Sequence, residues 1–522
     1  MILGLNRPKG YKDKSEKYLS KAGDKLAGVI RKVQKEHHFE TLKLSNKAAN
    51  ELAAILIEFA EDLHNDIGIW KSVESYNFRF FGTKLPFMPA PDSDPDDYDK
   101  PTKKINKYQV QYFLWGIFPE FKRDLIFSPR HSELEILAEN VADFIEYRFA
   151  TIPTDSAIKK FLSQTNEFGW DVKRKLIWLG QHSYLFRQHF KNYAEHNERT
   201  MTITVIDHYV CKRISCWSGL GVIDVLAQLL DISEEQATEL RSWYELHMAF
   251  YKVLSIEGPI VKMLNLINDK PYTARAGEPN PFIEQEVILG SVAPWKGEWY
   301  WSGQQKRIPK ASEEQIQTLK DEFLKDAHEL VYRYNEQYLE RAKESLKEHY
   351  NDFMEYHQKE LVVYPDGQSM TDDFDKQVKI SNEKKLNKIG ESDKKPDLSK
   401  TGIREAFPEE FFDGKDGVAV YYNPNEGQEI MQGFNHILSG FRKKGENLNT
   451  KELDVIRAFI LSDAISPQFV KKLINEYGEK SILSAFSILD FDNNYALEFI
   501  LRRYKGHFYR KRYPSITLVN TE

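Results

Sequence analysis

The chain has 522 residues, of which 41% are hydrophobic and 29% charged, and its 73 basic and 79 acidic side chains give a formal net charge of −6. This composition supports several folded domains and excludes wholesale disorder, and the near-neutral charge argues against a uniformly basic nucleic-acid coat. The only cysteines are Cys211 and Cys216, too few for a disulfide framework.

The hydropathy pattern predicts where the protein resides. No run of about 18 apolar residues is present, as a membrane-spanning helix would need. The first residues contain no apolar stretch of the kind found in a signal peptide. With so few cysteines, the chain is expected to be cytoplasmic and to have no membrane partner.

Helical periodicity dominates the first half of the chain. Leu52, Ile55, Leu56 and Phe59 recur at the spacing of one helix face. The helices with the clearest pattern are predicted over Lys47–Trp70, Ser132–Phe149, Asp171–His196 and Ser233–Tyr251. We therefore predict an N-terminal helical region over residues 1–155 and a central helical region over 156–251.

One short segment has the spacing of a partial metal site. His208, Cys211 and Cys216 follow a His-x2-Cys-x4-Cys pattern, which offers three ligands that zinc accepts. No second cysteine pair completes the set, so a fourth ligand would have to come from a distant residue. These three residues remain weak candidates, and two buried structural thiols are the preferred interpretation. We predict no metal and no cofactor.

Residues 252–308 differ from everything around them. Short apolar runs alternate with turn signals such as Glu257-Gly258, Asn268-Asp269 and Lys296-Gly297. This pattern predicts five short strands and a small OB- or SH3-like barrel inserted between helices.

Part of this module resembles a known kind of protein. The resemblance rests on Asn265–Tyr272, Val287–Pro294 and Trp299–Gly303. These segments are similar to a β-module of large, mostly helical bacterial proteins from uncharacterised families, some of which carry a C-terminal SEC-C zinc motif. The chain has no cysteine-rich tail, so the zinc motif itself is absent. The resemblance implies a fold and a bacterial origin and brings no catalytic residues.

The barrel-like module contains the first group of candidate binding residues. Tryptophans offer stacking surfaces for bases and cations attract phosphates. The candidates are Lys262, Arg275, Trp295, Lys296, Trp299 and Trp301. Trp299 and Trp301 point to the same side of a strand and Tyr300 to the other, so one side must be core. Packing of the tryptophans inside the module is therefore the preferred interpretation.

The second half of the chain is predicted to contain three regions. Apolar residues every three to four positions predict one long helix, so we assign residues 309–362 to it. Residues 363–400 are polar and charged, which predicts a flexible linker. Residues 401–522 are expected to form a helical domain with one short strand, Gly417–Tyr422, followed by a helix from Gln428 to Phe441.

The C-terminal tail contains the second group of candidate binding residues. Its basic side chains alternate with tyrosine and phenylalanine, an arrangement that suits RNA or single-stranded DNA. They are Arg502, Arg503, Lys505, Arg510, Lys511 and Arg512. A charged, exposed terminus is the alternative.

Together these patterns predict a mainly α, multi-domain helical protein with a small five-stranded β-barrel-like insert and a helical C-terminal domain. No phosphate-binding loop, zinc-protease motif, nucleophile elbow or dinucleotide fingerprint is present. We predict a non-catalytic binding or regulatory protein that contacts RNA or single-stranded DNA. A protein-interaction scaffold and a hydrolase or nucleotide-handling enzyme without a recognisable motif remain alternatives.

Overall fold

The computed structural model divides into two compact units, Met1–Leu330 and Val331–Glu522. The residues that it describes are 6–11, 15–89, 105–123, 125–196, 202–215, 217–309, 311–326, 336–389, 404, 407–491, 494–513 and 517–519.

The first unit begins with a helical body. Its helices are α1 (Ser15–Glu36), α2 (Asn46–Asn65), α3 (Ile69–Phe81), α4 (Lys107–Phe121), α5 (Ser132–Phe149), α6 (Ala157–Leu162), α7 (Gly169–His182), α8 (Arg187–His196), α9 (Ile203–Lys212), α10 (Val222–Leu229) and α11 (Glu234–Ser242). Many begin at a side-chain cap: Ser45 accepts from the backbone N–H of Ala48, and Asn106 and Gln109 form a capping box at α4.

Large aromatic rings form the core of this body. The Phe59 and Phe113 rings stack with centroids 4.6 Å apart, and Trp70 and Trp217 meet edge to face at 5.8 Å. Both tryptophans are fully buried. Gly116 lies directly against Trp217, since a Cβ at this position would come within 2.3 Å of the indole ring. The high aromatic content of the sequence is thus used in part for packing.

A five-stranded barrel follows the helical body. Its strands are β1 (His247–Glu257), β2 (Ile260–Asn265), β3 (Pro271–Arg275), β4 (Val287–Trp295) and β5 (Glu298–Ile308). They close in the order β1-β2-β3-β5-β4, and β3 and β5 run parallel whereas the other pairs are antiparallel. This Greek-key arrangement is OB-like. Helix α12 (Glu313–Asp326) comes next.

Three helix predictions in the first unit are wrong in extent. The helix predicted over Ser233–Tyr251 ends at Ser242, and β1 begins at His247 because residues from there onward pair with β4. The helix predicted over Asp171–His196 is interrupted, since Ser183 has extended backbone angles. The helix predicted over Lys47–Trp70 is also divided, because Asp66 and Gly68 have left-handed backbone angles. In the first case ladder pairing outweighs the local helical pattern.

The second unit combines a small sheet with helices. Its helices are α13 (Glu336–His357), α14 (Gly367–Ile389), α15 (Glu410–Asp413), α16 (Phe434–Arg442), α17 (Thr450–Leu461), α18 (Pro467–Tyr477), α19 (Lys480–Ala485) and α20 (Ala496–Lys505). The strands are β6 (Leu361–Tyr364), β7 (Val418–Asn423), β8 (Gly427–Gln432) and β9 (Thr517–Val519), in the order β6-β7-β8-β9.

The second unit contains more regular secondary structure than the sequence pattern predicts. Most of the segment predicted as a linker, residues 363–400, is helix α14, which buries Met370 and Thr371 against the unit. The start of the helix predicted from Gln428 is strand β8, which pairs with β7 from Gly427 to Gln432. The single helix predicted over 309–362 passes through residues that are not described, between α12 and α13.

The fold class is confirmed: the chain is mainly α and includes a closed five-stranded barrel and a second, smaller sheet. None of the helices among the described residues is long and apolar enough to span a bilayer.

Candidate functional site

Two of the candidate tryptophans face the inside of the barrel. The Trp299 ring centroid lies 4.8 Å from that of His247 and 4.8 Å from that of Tyr272. The Trp301 ring lies 5.2 Å from that of Phe282, which belongs to the barrel core. Both indoles therefore fill the barrel and do not form an open stacking platform.

Trp295 and Lys296 lie where the barrel meets the helical body. Trp295 is fully buried, and its indole N–H donates to the backbone carbonyl of Asn166 at 2.9 Å. The backbone N–H of Lys296 donates to the carboxylate of Glu239 in α11 at 2.8 Å. These two residues hold the barrel on the helices.

The outer face of strands β1 to β3 carries three cations, Lys252, Lys262 and Arg275. Lys252 pairs with Leu264, Lys262 with Thr273, and Ile260 with Arg275, so all three cations point away from the interior residues of the barrel. Lys262 forms an ion pair with Glu257 at 2.6 Å, in which both side chains are exposed.

An exposed aromatic surface adjoins this face, where the start of α7 meets β5. We call it the α7–β5 surface; its residues are Phe168, Trp170, Arg275, Glu298 and Tyr300. The Trp170 ring lies 5.0 Å from Phe168 and 5.4 Å, edge to face, from Tyr300. Trp170 is 45% exposed, whereas Tyr300 is buried.

Arg275 joins the α7–β5 surface to the outer face of the barrel. Its guanidinium lies 5.6 Å from the centroid of Phe168. Its Nε and Nη2 atoms donate to the two carboxylate oxygens of Glu298 at 2.7 and 2.6 Å. The Tyr300 hydroxyl donates to the same carboxylate at 2.9 Å. The arginine is thereby held with one edge on a carboxylate and its plane near an aromatic ring.

The charges of the α7–β5 surface stabilise each other. Hydrogen bonds from Arg275 hold the pKa of the Glu298 carboxyl below its usual range, and Glu298 in turn raises the pKa of Arg275. Burial, with Glu298 beside it, raises the pKa of Tyr300 to about 12. At neutral pH the surface thus carries one cation, one anion and a neutral phenol.

The α7–β5 surface depends on a close backbone approach. Gly169 is the first residue of α7, and a Cβ there would lie 2.5 Å from Cγ of Tyr300. A glycine is therefore required for Tyr300 to sit against the helix start and beside Trp170.

One turn further along α7 is a buried polar network. Lys173 donates to Asp207 of α9 and, at 2.8 Å, to the hydroxyl of Ser302 in β5. The Ser302 hydroxyl donates to the Asp207 carboxylate at 3.0 Å. We call these three residues the α7–α9–β5 network. Each member has two partners inside the network, as buried polar groups require.

The network resembles a serine–lysine pair but is not arranged for nucleophilic catalysis. Burial alone would lower the pKa of Lys173, but the neighbouring Cys211 and Asp207 outweigh it and the pKa is raised. Burial raises the pKa of the Cys211 thiol to about 11, so at neutral pH Asp207 is the counter-charge. A protonated lysine does not accept the serine proton, so Ser302 lacks an activating base.

The weak metal candidates have different surroundings. His208 is exposed and its Nδ1 lies 2.8 Å from the Tyr193 hydroxyl, whereas Cys211 is buried with its Sγ 3.6 Å from Lys173. Cys216 lies outside the described residues. Within the described part of the chain, no group of three or more histidine, cysteine or acidic side chains is placed to hold a metal ion.

The basic C-terminal tail packs within the second unit. Lys505 is buried and donates to the backbone carbonyls of Ser462 and Ile465 at 2.9 and 2.7 Å. Arg512 is bonded to both carboxylate oxygens of Glu426 at 3.0 Å.

The other four tail cations also lie close to neighbouring side chains or backbone. Arg502 forms an ion pair with Glu498, Arg503 is buried, Lys511 lies 5.6 Å from the ring of Tyr513, and the backbone N–H of Arg510 donates to the carbonyl of His507. Most of the cations that a phosphate would need are thus already engaged inside this unit.

Arg275 and Lys262 are candidates from the sequence and lie on the outer face of the barrel, whereas Phe168 and Trp170 are not among the candidates. Their signal is the Phe-Gly-Trp sequence at 168–170, in which two large aromatic residues flank a glycine just before a helix. Such a tripeptide indicates a close backbone contact with rings on either side of it.

Comparison with known proteins gives a family match over the region that includes α7 and indicates no function. Residues 13–204 match a family described as a protein of unknown function, DUF3843. This match covers α1 to α8, including Phe168, Trp170 and Lys173, and ends before the barrel. Searches of curated proteins and of solved structures gave no match. The OB-like assignment of the barrel therefore rests on its strand order.

Proposed function

We propose that the protein is a non-catalytic binding protein for single-stranded nucleic acid, with the α7–β5 surface and the outer face of β1 to β3 as its binding site. One observation carries the proposal: Arg275 lies on the outer face of an OB-like barrel and also beside Phe168, whose ring contacts the exposed Trp170. The face formed by strands 2 and 3 is the one through which OB-folds bind oligonucleotides.

Trp170, with Phe168 beside it, offers the exposed stacking surface that the tryptophans inside the barrel do not. Trp170 is 45% exposed, and its ring contacts those of Phe168 and Tyr300. A base stacked on such a ring gains roughly 1–3 kcal/mol without regard to sequence. Trp170 is therefore the expected stacking residue.

The cations of the outer face supply attraction for the phosphates. Lys252, Lys262 and Arg275 come from three neighbouring strands and lie on the outer face of these strands. The ion pair of Lys262 with Glu257 is exposed, so it is weak and open to exchange with a phosphate. Because Arg275 shares its charge with Glu298, we expect moderate affinity that falls steeply with salt.

The test measures binding of labelled single-stranded DNA and RNA of about 12 nucleotides, within the range of OB-fold sites, by fluorescence anisotropy. We expect Trp170→Ala to weaken binding about 10- to 100-fold. Lys262→Ala should reduce the slope of log K against log salt by about 1. Tyr147→Ala is the matched control, since Tyr147 is an exposed aromatic residue on α5.

Two outcomes would overturn this proposal. One is that the wild-type protein fails to bind any of the oligonucleotides at low salt. The other is that a protein partner survives nuclease treatment in a pull-down and is lost in Trp170→Ala, because an exposed tryptophan beside an arginine also suits a protein interface. A cytoplasmic and bacterial setting, as the resemblance of residues 265–303 implies, is part of the same proposal.

A further inference from the structure

The α7–α9–β5 network adjoins the α7–β5 surface along both α7 and β5. On α7, Trp170 and Lys173 are three residues apart and so share one face of the helix. On β5, Tyr300 and Ser302 are two residues apart and share one side of the strand. The helix and the strand are thus joined by two successive contacts, Trp170 with Tyr300 and Lys173 with Ser302.

We propose that Lys173, Asp207 and Ser302 are positioning residues, which fix the angle of Trp170 relative to Arg275 and thereby set the affinity of the α7–β5 surface for a single-stranded oligonucleotide. This inference rests on the function proposed above. None of the three residues touches the ligand in this arrangement, because Ser302 and Asp207 are buried and Lys173 nearly so.

The network suits this role because its contacts are directional. Lys173 reaches two different elements from one side chain, α9 through Asp207 and β5 through Ser302. Ser302 uses its hydroxyl both as acceptor and as donor, so rotation of β5 against α7 breaks at least one bond. Apolar packing alone would allow such a rotation, whereas a fully bonded polar network selects one geometry.

Backbone contacts restrict the same movement. Gly303 has φ of +76° and comes next to Asp207, whose Oδ2 would lie 3.0 Å from a Cβ at this position. Strand β5 therefore approaches α9 closely immediately after Ser302. The carboxylate of Asp207 thus contacts both Lys173 of α7 and strand β5.

The variant Ser302→Ala tests the proposal with the least disturbance. It removes one hydroxyl and leaves the ion pair of Lys173 with Asp207 in place. Ser242→Ala is the matched control, since the Ser242 hydroxyl donates to the Glu239 carbonyl at 2.6 Å in the same unit but outside the network. Lys173→Met is the second variant, which keeps an unbranched side chain one atom shorter and removes its charge.

Two readouts distinguish positioning from mere stability. The first is anisotropy with the labelled oligonucleotide of about 12 nucleotides, in which Ser302→Ala should lose about tenfold in affinity. The second is fluorine NMR of protein labelled with fluorotryptophan, in which the Trp170 signal is assigned among the nine tryptophans by its loss in Trp170→Phe. We expect this signal to shift or broaden in Ser302→Ala and Lys173→Met and to stay unchanged in Ser242→Ala.

The outcomes separate this inference from the function on which it rests. If wild-type protein binds no oligonucleotide, the proposed function fails, and the Trp170 signal still reports whether the network orients the surface. If wild-type binds and Ser302→Ala binds equally well with an unchanged Trp170 signal, the positioning role is overturned. A loss of thermal stability without a change in either readout in both variants leads to the same rejection.

Discussion

Lys505 shows how a charged residue can look like part of a binding tail in the sequence and serve the core in the structure. It is fully buried in the second unit, and its ammonium donates to the carbonyls of Ser462 and Ile465 just beyond the end of α17. Burial lowers the pKa of Lys505 to about 7. The partial negative charge at a helix end offsets part of this cost.

The pKa of Lys505 predicts a pH dependence of stability. In the unfolded chain this lysine titrates at its ordinary value of 10.5. Between pH 7 and 10.5 the unfolded state therefore binds more protons, and the contribution of Lys505 to the free energy of unfolding rises with pH, by at most about 1.4 kcal/mol per unit. Below pH 7 both states are protonated and the contribution is constant.

Urea unfolding of the second unit at pH 7, 8 and 9, followed by circular dichroism, measures this effect. The wild-type protein should gain stability relative to Lys505→Met as the pH rises through this range. Comparison with the variant removes the contribution of the other lysines. Free energies that change in parallel for the two proteins would contradict the assignment.

The sequence pattern predicts which side of a strand each residue occupies, but it does not predict contacts between residues far apart in the chain. Alternation along β5 correctly assigned Trp299 and Trp301 to one side and Tyr300 to the other. It did not reveal that Trp170, far away in sequence, lies beside Tyr300, because that contact depends on how α7 docks on the barrel. The same holds for Lys173 and Asp207, which no local pattern connects with Ser302.

At the scale of elements, the contact between α7 and β5 depends on Gly169. Replacing this glycine with alanine would place a Cβ 2.5 Å from Cγ of Tyr300, so either the helix start or the strand must move. We expect Gly169→Ala to destabilise the first unit by roughly 1–3 kcal/mol, the usual cost of overpacking. Oligonucleotide binding should weaken with it, because Trp170 moves with the helix.

Denaturant unfolding and anisotropy measured on the same preparations test this expectation. Gly277→Ala is the matched control, because a Cβ at Gly277 in the loop after β3 would meet nothing within 4 Å and its φ is not in the left-handed region. Equal stability and affinity for the two variants would show that the close approach of α7 to β5 has no energetic importance.

Element predictions failed mainly where tertiary pairing supplies the stability. Helix α14 is polar enough to look like a linker, yet Met370 anchors it in a cluster with Phe353, Val362 and Phe411. The sequence of β8 is included in a predicted helix because the helical pattern of α16 follows it directly. Pairing with β7 makes this segment a strand. Most helical stability in proteins likewise comes from packing of one face, which composition alone does not report.

At the scale of the whole molecule, the barrel belongs to the first unit and is not an independent domain. Trp295 and Ser302 project from it and are buried against the helical body. In isolation the barrel would expose a large indole and lose the partners of a buried hydroxyl. Loss of that burial would cost roughly 1.5–3 kcal/mol for the tryptophan alone, a large fraction of the stability of a small domain.

We therefore expect the isolated segment 247–309 to lack a unique folded structure, while the fragment Met1–Leu330 folds. Near-ultraviolet circular dichroism and amide proton NMR dispersion of the two purified fragments provide the measurement. The longer fragment should show fixed aromatic signals and the shorter one should not. A barrel that folds alone with dispersed signals would mean that its contacts with α7 and α9 orient the binding surface without stabilising the strands, and the α7–α9–β5 network would then be needed for orientation only.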